Sequence, residues 1–306
     1  TGRGLELFLG FLVAIVVIFA LVFVSELAVE AVGGPLSPAA AGVQLVQTLI
    51  IVFLIFVAIF RARRYRLSRS QWRGIRGGQS GSAVTFALTA LGWGLVSVLS
   101  LGLAYPVFRT RLMAYQMGNT WFGSERFSFT GKAGELFGAW FVAWLLLLPS
   151  LGLSYVWFRV REFRYFASRS SLGPLRFSSE LRTGRIVLIF LTNFFVWGAV
   201  TFLFVAVGYA LFAGGASPPP DGAGDEAVQQ WLLQSLQNPL LIVLLLLYLV
   251  VSGLIRTVIW LQPMVAEITT SLSVAGEMDF ARLAQSSQVM PGRGEGLAEA
   301  FDVGSI

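Results

Sequence analysis

The side chains best suited to chemistry in this sequence are arginines set among aromatic rings. Segment 61–82 holds seven arginines, at 61, 63, 64, 66, 69, 73 and 76, together with Tyr65 and Trp72 and no acidic residue. Segment 159–185 holds seven more, opposed only by Glu162 and Glu180. Guanidinium groups make paired, planar hydrogen bonds to phosphate, and Tyr and Trp rings settle at headgroup depth, so this pattern points to anionic lipid headgroups. The candidates for that contact are Arg61, Arg64, Tyr65, Arg69, Trp72, Arg73 and Arg76, with Arg111, Tyr115, Arg161 and Tyr165 further along. Helical spacing puts Arg69, Arg73 and Arg76 on one face, and Tyr65 and Trp72 on a neighbouring stripe. A blander role fits the same residues, that of a positive anchor that fixes topology without a specific ligand.

Other chemistries are excluded by composition. The 306 residues contain no Cys and no His. That removes disulfides, thiolate and imidazole nucleophiles, haem ligation through His and the usual zinc sites. Gly78-Gln79-Ser80-Gly81 matches the short G-x-S-G string of intramembrane serine proteases, but no His exists to take the Ser80 proton. Ser80 is therefore read as loop. No catalytic residue, cofactor or metal is expected, and the chain is read as a non-enzyme.

The elements that position the arginines are hydrophobic. Hydrophobic residues make up 56% of the chain and charged residues 12%, with a mean hydropathy of +0.75, whereas soluble domains carry about 25% charged residues. Apolar runs at 5–25, 44–60, 83–108, 133–158, 185–213 and 237–263 lie at or near the roughly 20 residues that cross a hydrocarbon core as a helix. They are continuous rather than alternating, which argues against a transmembrane barrel. The expectation is an all-α integral membrane protein.

Charge sorts the loops. Segments 26–43 and 214–236 carry Glu26, Glu30, Asp221, Asp225 and Glu226 with no Lys or Arg, and are expected outside. Segments 61–82, 109–132 and 159–185 are basic and are expected on the cytoplasmic side. The net charge is +6, with Lys132 the only lysine. On a membrane chain this indicates an anionic leaflet rather than nucleic acid. Thr1 is not an initiator Met and no cleavable signal pattern follows it, so the chain is expected to begin partway through a longer protein.

An internal repeat of 50 residues runs through this pattern. Leu101-Gly102-Leu103-Ala104-Tyr105 recurs as Leu151-Gly152-Leu153-Ser154-Tyr155, Arg111 and Tyr115 as Arg161 and Tyr165, and Arg126-Phe127 as Arg176-Phe177. Arg61, Tyr65 and Arg76 lie one period earlier. Repeats this close should present equivalent residues to the same environment. One crossing per repeat would place neighbours on opposite sides of the membrane, whereas a re-entrant hairpin keeps them on one side. Breakers lie mid-run at Ser100-Leu101-Gly102 and Pro149-Ser150-Leu151-Gly152. Four spanning helices plus two re-entrant hairpins are expected, with six kinked spanning helices as the alternative. The expected organisation is one membrane domain, 1–283, in units 1–82, 82–131, 132–181 and 182–283, followed by a cytoplasmic tail, 284–306. The linkers read as short interfacial helices carrying Arg-x-x-x-Tyr, and as a small β-hairpin around Gly123.

The run from Arg64-Tyr65-Arg66 to Ser70-Gln71-Trp72-Arg73-Gly74-Ile75-Arg76 resembles the signature of the YjgN family of bacterial inner-membrane proteins, a domain of unknown function. Ser100-Leu101-Gly102-Leu103-Ala104-Tyr105-Pro106, Gly134-Glu135-Leu136-Phe137-Gly138 and Glu299-Ala300-Phe301-Asp302-Val303-Gly304 are similar to that family as well. Gly77 departs from it, standing where the family tends to have an aromatic residue. The resemblance implies an inner-membrane protein of this fold type and an upstream repeat before Thr1, while the apolar runs and loop charges give the expectation of a multi-pass chain with a cytoplasmic C-terminus. The resemblance implies no activity.

Two polar residues lie inside apolar runs. Arg256, between Leu254-Ile255 and Thr257-Val258-Ile259, is either a buried functional charge or a snorkelling one. Asn193 suits interhelical hydrogen bonding. Trp93, Trp140, Trp144 and Trp157 suit core packing or lipid-facing and interfacial belts. Two functions fit. The first is a scaffold that organises phospholipid, in particular anionic lipid, or docks on another membrane complex or on itself as a homo-oligomer. The second is an oligomeric channel or transporter for a small solute or anion.

Overall fold

Where an apolar helix stops, its last carbonyls and the next amides need new partners, and this chain supplies them by pairing strands. The computed structural model describes residues 4–215, 224–236 and 239–278. The run Ser217 to Gly222 and the tail 284–306 lie outside the described residues. The first apolar run forms α1 (Gly4–Ala31). The left-handed pair Gly33 and Gly34 turns the chain into α2 (Pro38–Arg69), which Ser37 caps by accepting from the amide of Ala40 at 3.1 Å. After α2 come β1 (Gln71–Trp72) and β2 (Ile75–Gln79), joined by Arg73 and Gly74, both with positive φ, the pattern of a two-residue hairpin turn.

The two central runs each break into a pair of short helices. The first becomes α3 (Ala83–Leu99) and α4 (Tyr105–Gly118), and the second α5 (Ala133–Leu145) and α6 (Leu153–Ser168). The breaks are copies of each other. Leu101 and Gly102 have φ of 53° and 88°, and Leu151 and Gly152 have 50° and 86°. A leucine in this region is strained, so the turn must be held by its hydrogen bonds. Ser100 Oγ accepts from the amide of Ala104 at 3.0 Å, and Ser150 Oγ does the same for Ser154 at 3.0 Å.

Strands flank every short hairpin. β3 (Thr120–Phe122) and β4 (Glu125–Phe129) follow α4, and β5 (Ser170–Leu172) and β6 (Leu175–Ser179) follow α6. With β7 (Leu272–Ala275) they form a seven-stranded sheet in chain order. The pairs from β1 to β6 are antiparallel. The expectation of an all-α protein is corrected here. The local hairpin around Gly123 is present, but strands of two to five residues are marginal alone. Each helical hairpin returns the chain beside the strand it left, so the short hairpins share edges and merge into one sheet.

Among the described residues three helices are long and apolar enough to cross a membrane: Pro38–Arg69, Thr183–Phe212 and Pro239–Ser271. The third is built from α9 (Pro239–Ile255), a π-helical turn (Arg256–Leu261) and α10 (Gln262–Ser271). The second lies in α7 (Thr183–Gly215), which α8 (Asp225–Leu236) follows. α1, at 28 residues, is the other long helix. At 17 residues α3 is about 26 Å long, and no continuous helix runs through either central segment.

The chain forms two compact units. The first comprises 1–146, 165–178 and 274–306, and the second 147–164 and 179–273. In the first, Phe60, Ala83, Phe86, Ala90 and Leu112 form a core shared by α2, α3 and α4, with Phe56, Phe108 and Tyr115 packed on it. In the second, Val160, Leu181 and Ile186 pack with Met264 and Ile268, and the Phe204 ring stands edge-on to Tyr248. The outer faces of this unit expose Phe202 at 76% and Val205 at 63%, apolar surface that suits lipid and not water.

A tyrosine closes the base of each short hairpin. The Tyr115 hydroxyl donates to the carbonyl of Ser82 at 2.8 Å and accepts from its amide at 3.0 Å. Tyr165 treats Lys132 identically, at 3.0 and 2.6 Å. Beside them the Ser80 amide donates to Asn119 O at 2.8 Å and Thr130 to Arg169 O at 3.0 Å. Burial pushes the Tyr165 phenol above its ordinary pKa. Tyr115→Phe and Tyr165→Phe should each lose about 1–3 kcal/mol of stability, read as denaturant midpoints in detergent. Tyr65→Phe should lose nothing, because the buried Tyr65 hydroxyl has no partner.

Candidate functional site

The arginine-rich end of α2 and the hairpin after it form one polar region, but not the single helical face that spacing suggested. α2 ends at Arg69. Arg73 and Arg76 therefore lie on the β1–β2 hairpin, Arg73 at its turn. Ser70 ends the helix in extended backbone, and Arg73-Gly74 supplies a turn that a helix cannot use. Trp72 is exposed, with the Arg73 guanidinium 4.8 Å over its ring. Arg69 lies 5.3 Å over Tyr65, as Arg169 lies 5.6 Å over Tyr165.

Arg64 is engaged with backbone. Its Nε donates to Gln79 O at 2.9 Å and its Nη2 to Gly81 O at 3.2 Å. One hundred residues on, Arg164 donates to Leu181 O through Nε at 2.6 Å and also through Nη2. Both guanidinium groups tie a helix end to the carbonyl 17 residues later, ahead of the next helix. Arg111 and Arg161 are exposed, and each stacks 5.7 Å from a tryptophan, Trp93 and Trp157 respectively. These two present exposed guanidinium groups ordered on aromatic rings. Arg61 is half-buried near the α2 end, Arg76 exposed on β2.

Arg256 opens the π-helical turn and is exposed. It lies 17 residues beyond Pro239, about 26 Å along the axis. A hydrocarbon core of about 30 Å starting at Pro239 ends within one turn of it, so its side chain can snorkel to the interface. Asn193 is half-buried in α7. Glu135 in the first turn of α5 pairs with Arg169.

Some residues carry weight that their type alone does not signal. Trp140 Nε1 donates to Gly102 O and Trp144 Nε1 to Leu101 O, both at 2.8 Å. These indoles cap the carbonyls at the broken tip of α3–α4, a role beyond the core or belt packing expected of them. In the following repeat the same positions are Phe190 and Phe194, which have no N–H. Glu162, expected as a loop charge, is 2% exposed and bonded to Arg159. Gly78 lies under the Trp121 ring, where an added Cβ would meet it at 2.2 Å.

Under α2 lies a polar cluster. Gln79 is 5% exposed, and both polar atoms of its amide lack a partner. It is directly opposite Thr120 in the sheet, and Arg63 Nη2 reaches Thr120 Oγ1 at 3.4 Å. Neither Arg63 nor Gln79 was legible as special among so many arginines and loop residues. The described residues hold no cluster of metal-ligating side chains.

Arg64→Ala should destabilise the protein by about 1.5–3 kcal/mol, since it strips charged donors from two carbonyls. Arg73→Ala, at an exposed turn, should change the denaturant midpoint little.

No curated protein and no solved structure matches the chain. A family model does, twice: that of the bacterial proteins of unknown function DUF898, over residues 1–153 and again over 141–291. The two overlapping matches follow the tandem build of the fold, and together they span nearly the whole sequence. This membrane chain is thus a member of DUF898, the YjgN-like bacterial family.

Proposed function

We propose that the protein is a non-enzymatic scaffold of the bacterial inner membrane that gathers anionic phospholipid on the cytoplasmic side. In this reading α3–α4 and α5–α6 are re-entrant hairpins dipping into the inner leaflet, and the sheet lies in the cytoplasmic headgroup zone. One observation carries it: β2 and β3, which bracket the first hairpin, are paired neighbours, as are β4 and β5 around the second. A chain that leaves and rejoins one sheet leaves and rejoins one side of the membrane. The basic linkers favour the cytoplasm as that side. The broken tips then lie at a depth where backbone must be covered by protein, and the indole caps on Leu101 and Gly102 meet that need.

Anionic lipid is favoured as partner because Arg111 and Arg161 present guanidinium groups already ordered on tryptophan rings. A transport reading has one observation behind it, the π-helical turn that begins at Arg256, since such turns often mark functional sites. The position of Arg256 near the inner edge of its helix suits an interfacial charge better than a midplane selector.

The absence of native cysteine makes topology directly testable. A single Ser124→Cys variant should react with a membrane-impermeant maleimide only when the cytoplasmic face is open. Labelling from the periplasm alone would sink the re-entrant arrangement. Vesicles holding the purified protein should pass neither chloride nor small solutes. A flux abolished by Arg256→Ala would replace the scaffold with a channel.

A further inference from the structure

We infer that Arg63, Gln79 and Thr120 form a built site for the phosphate group of an anionic ligand, deepening the lipid reading above and resting on it only for the source of that phosphate. The argument begins with a comparison the molecule makes with itself. Gln79 opposite Thr120 in β2 and β3 corresponds, 50 residues on, to Phe129 opposite Ser170 in β4 and β5. Thr120 Oγ1 donates to Gln116 O at 2.6 Å, and Ser170 Oγ donates to Phe166 O at 2.7 Å. The backbone frame is the same. Its filling is not.

In the second copy the space is closed by apolar groups. The Phe129 ring packs edge-on against Phe166, 5.5 Å between centres, and Met113 is the counterpart of Arg63. In the first copy these three positions are Gln79, Gln116 and Arg63. The fold therefore does not require polarity here. An apolar set serves the same strands and turns, while the polar set leaves a buried amide without partners, a burden of the kind native cores avoid. Arg63 has no carboxylate partner among the described residues. A cation and an amide donor beside one point, with the Thr120 oxygen holding the guanidinium in place, are the donor set an oxyanion takes.

Depth agrees with that ligand. Arg63 lies 25 residues beyond Pro38 on α2, about 38 Å along the axis. This is past a hydrocarbon core of about 30 Å, at the level of lipid phosphates and within reach of phosphate in solution. Arg64, one residue on, holds Gln79 O and so fixes the strand that carries the amide. A phosphate docks from the Arg63 side, and the Gln79 side chain rotates to donate to it.

The test uses the full chain in a zwitterionic detergent, with binding read as a thermal shift. The probes are inorganic phosphate, and short-chain phosphatidylglycerol against short-chain phosphatidylcholine. The variants are Arg63→Met and Gln79→Leu, apolar fillings of the kind the second copy carries, with Arg73→Ala as a surface-charge control. Wild type should bind a phosphate-bearing probe, and both site variants should weaken that binding by at least about tenfold while remaining folded. Gln79→Leu should be at least as stable as wild type without probe, because it removes an orphaned amide. Equal response to phosphate and phosphatidylglycerol supports the site with free phosphate as ligand. Response to phosphatidylglycerol alone supports a lipid headgroup. Binding that survives in both variants but falls with Arg73→Ala overturns the site and leaves the lipid reading standing. No binding of any probe by wild type overturns both.

Discussion

The structure depends on closing backbone hydrogen bonds wherever a helix ends near lipid. A buried carbonyl or amide left without a partner is costly, and the two broken hairpins create such groups at both ends. At the base, one tyrosine hydroxyl gives to a carbonyl and takes from the amide of the same residue, Ser82 or Lys132. Strand pairing satisfies what remains. At the tip, serine hydroxyls and left-handed leucine–glycine pairs form the turn. In the first hairpin, tryptophans from the next repeat cover the exposed carbonyls. The sheet is thus a consequence of the hairpins. Strands this short would not persist without helices that return them to their neighbours.

Repetition let the same frame be used twice with different fillings. The tip of the first hairpin has indole caps and that of the second has Phe190 and Phe194 at the matching positions. The place that Phe129 on β4 and Phe166 on α6 fill in the second copy holds Gln79 and Gln116 in the first. Arg64 and Arg164 make the same clamp while the intervening copy has Ala114. A change that keeps the clasp leaves the backbone alone. Divergence at the Gln79 position therefore shows that the frame does not require polarity there.

Much of this was legible in the sequence. The 50-residue period, the breaks at Leu101-Gly102 and Leu151-Gly152 and the hairpin at Gly123 all follow from residue types with strong local preferences. The merged sheet was not legible, because each strand is too short to signal itself and its pairing is set by helices far along the chain. Tyr115 and Tyr165 stood out as repeated, yet ring chemistry suggested headgroups. The informative signal was the constant 33-residue spacing to Ser82 and Lys132. Arg73 and Arg76 were misplaced on a helix because Arg73-Gly74 reads as helical charge until its turn is recognised. Gln79 could not be found by type, since a glutamine between strand and loop is ordinary until its burial is known.

The arginines divide by what they touch, and this division matters more than their number. Arg64 and Arg164 are used by carbonyls, Arg169 by Glu135 and Arg159 by Glu162. Positive charge that builds the frame is not offered to a ligand. Arg111 and Arg161 are exposed instead, each ordered on a tryptophan ring, so a contact made there would cost less side-chain freedom. A basic stretch in a membrane protein is usually treated as a uniform field against an anionic leaflet. Here the field is broken into frame-building clamps and exposed, ring-ordered arginines. Under the proposed lipid reading the exposed ones are those that could discriminate headgroups, because discrimination requires donors at fixed positions rather than charge at large.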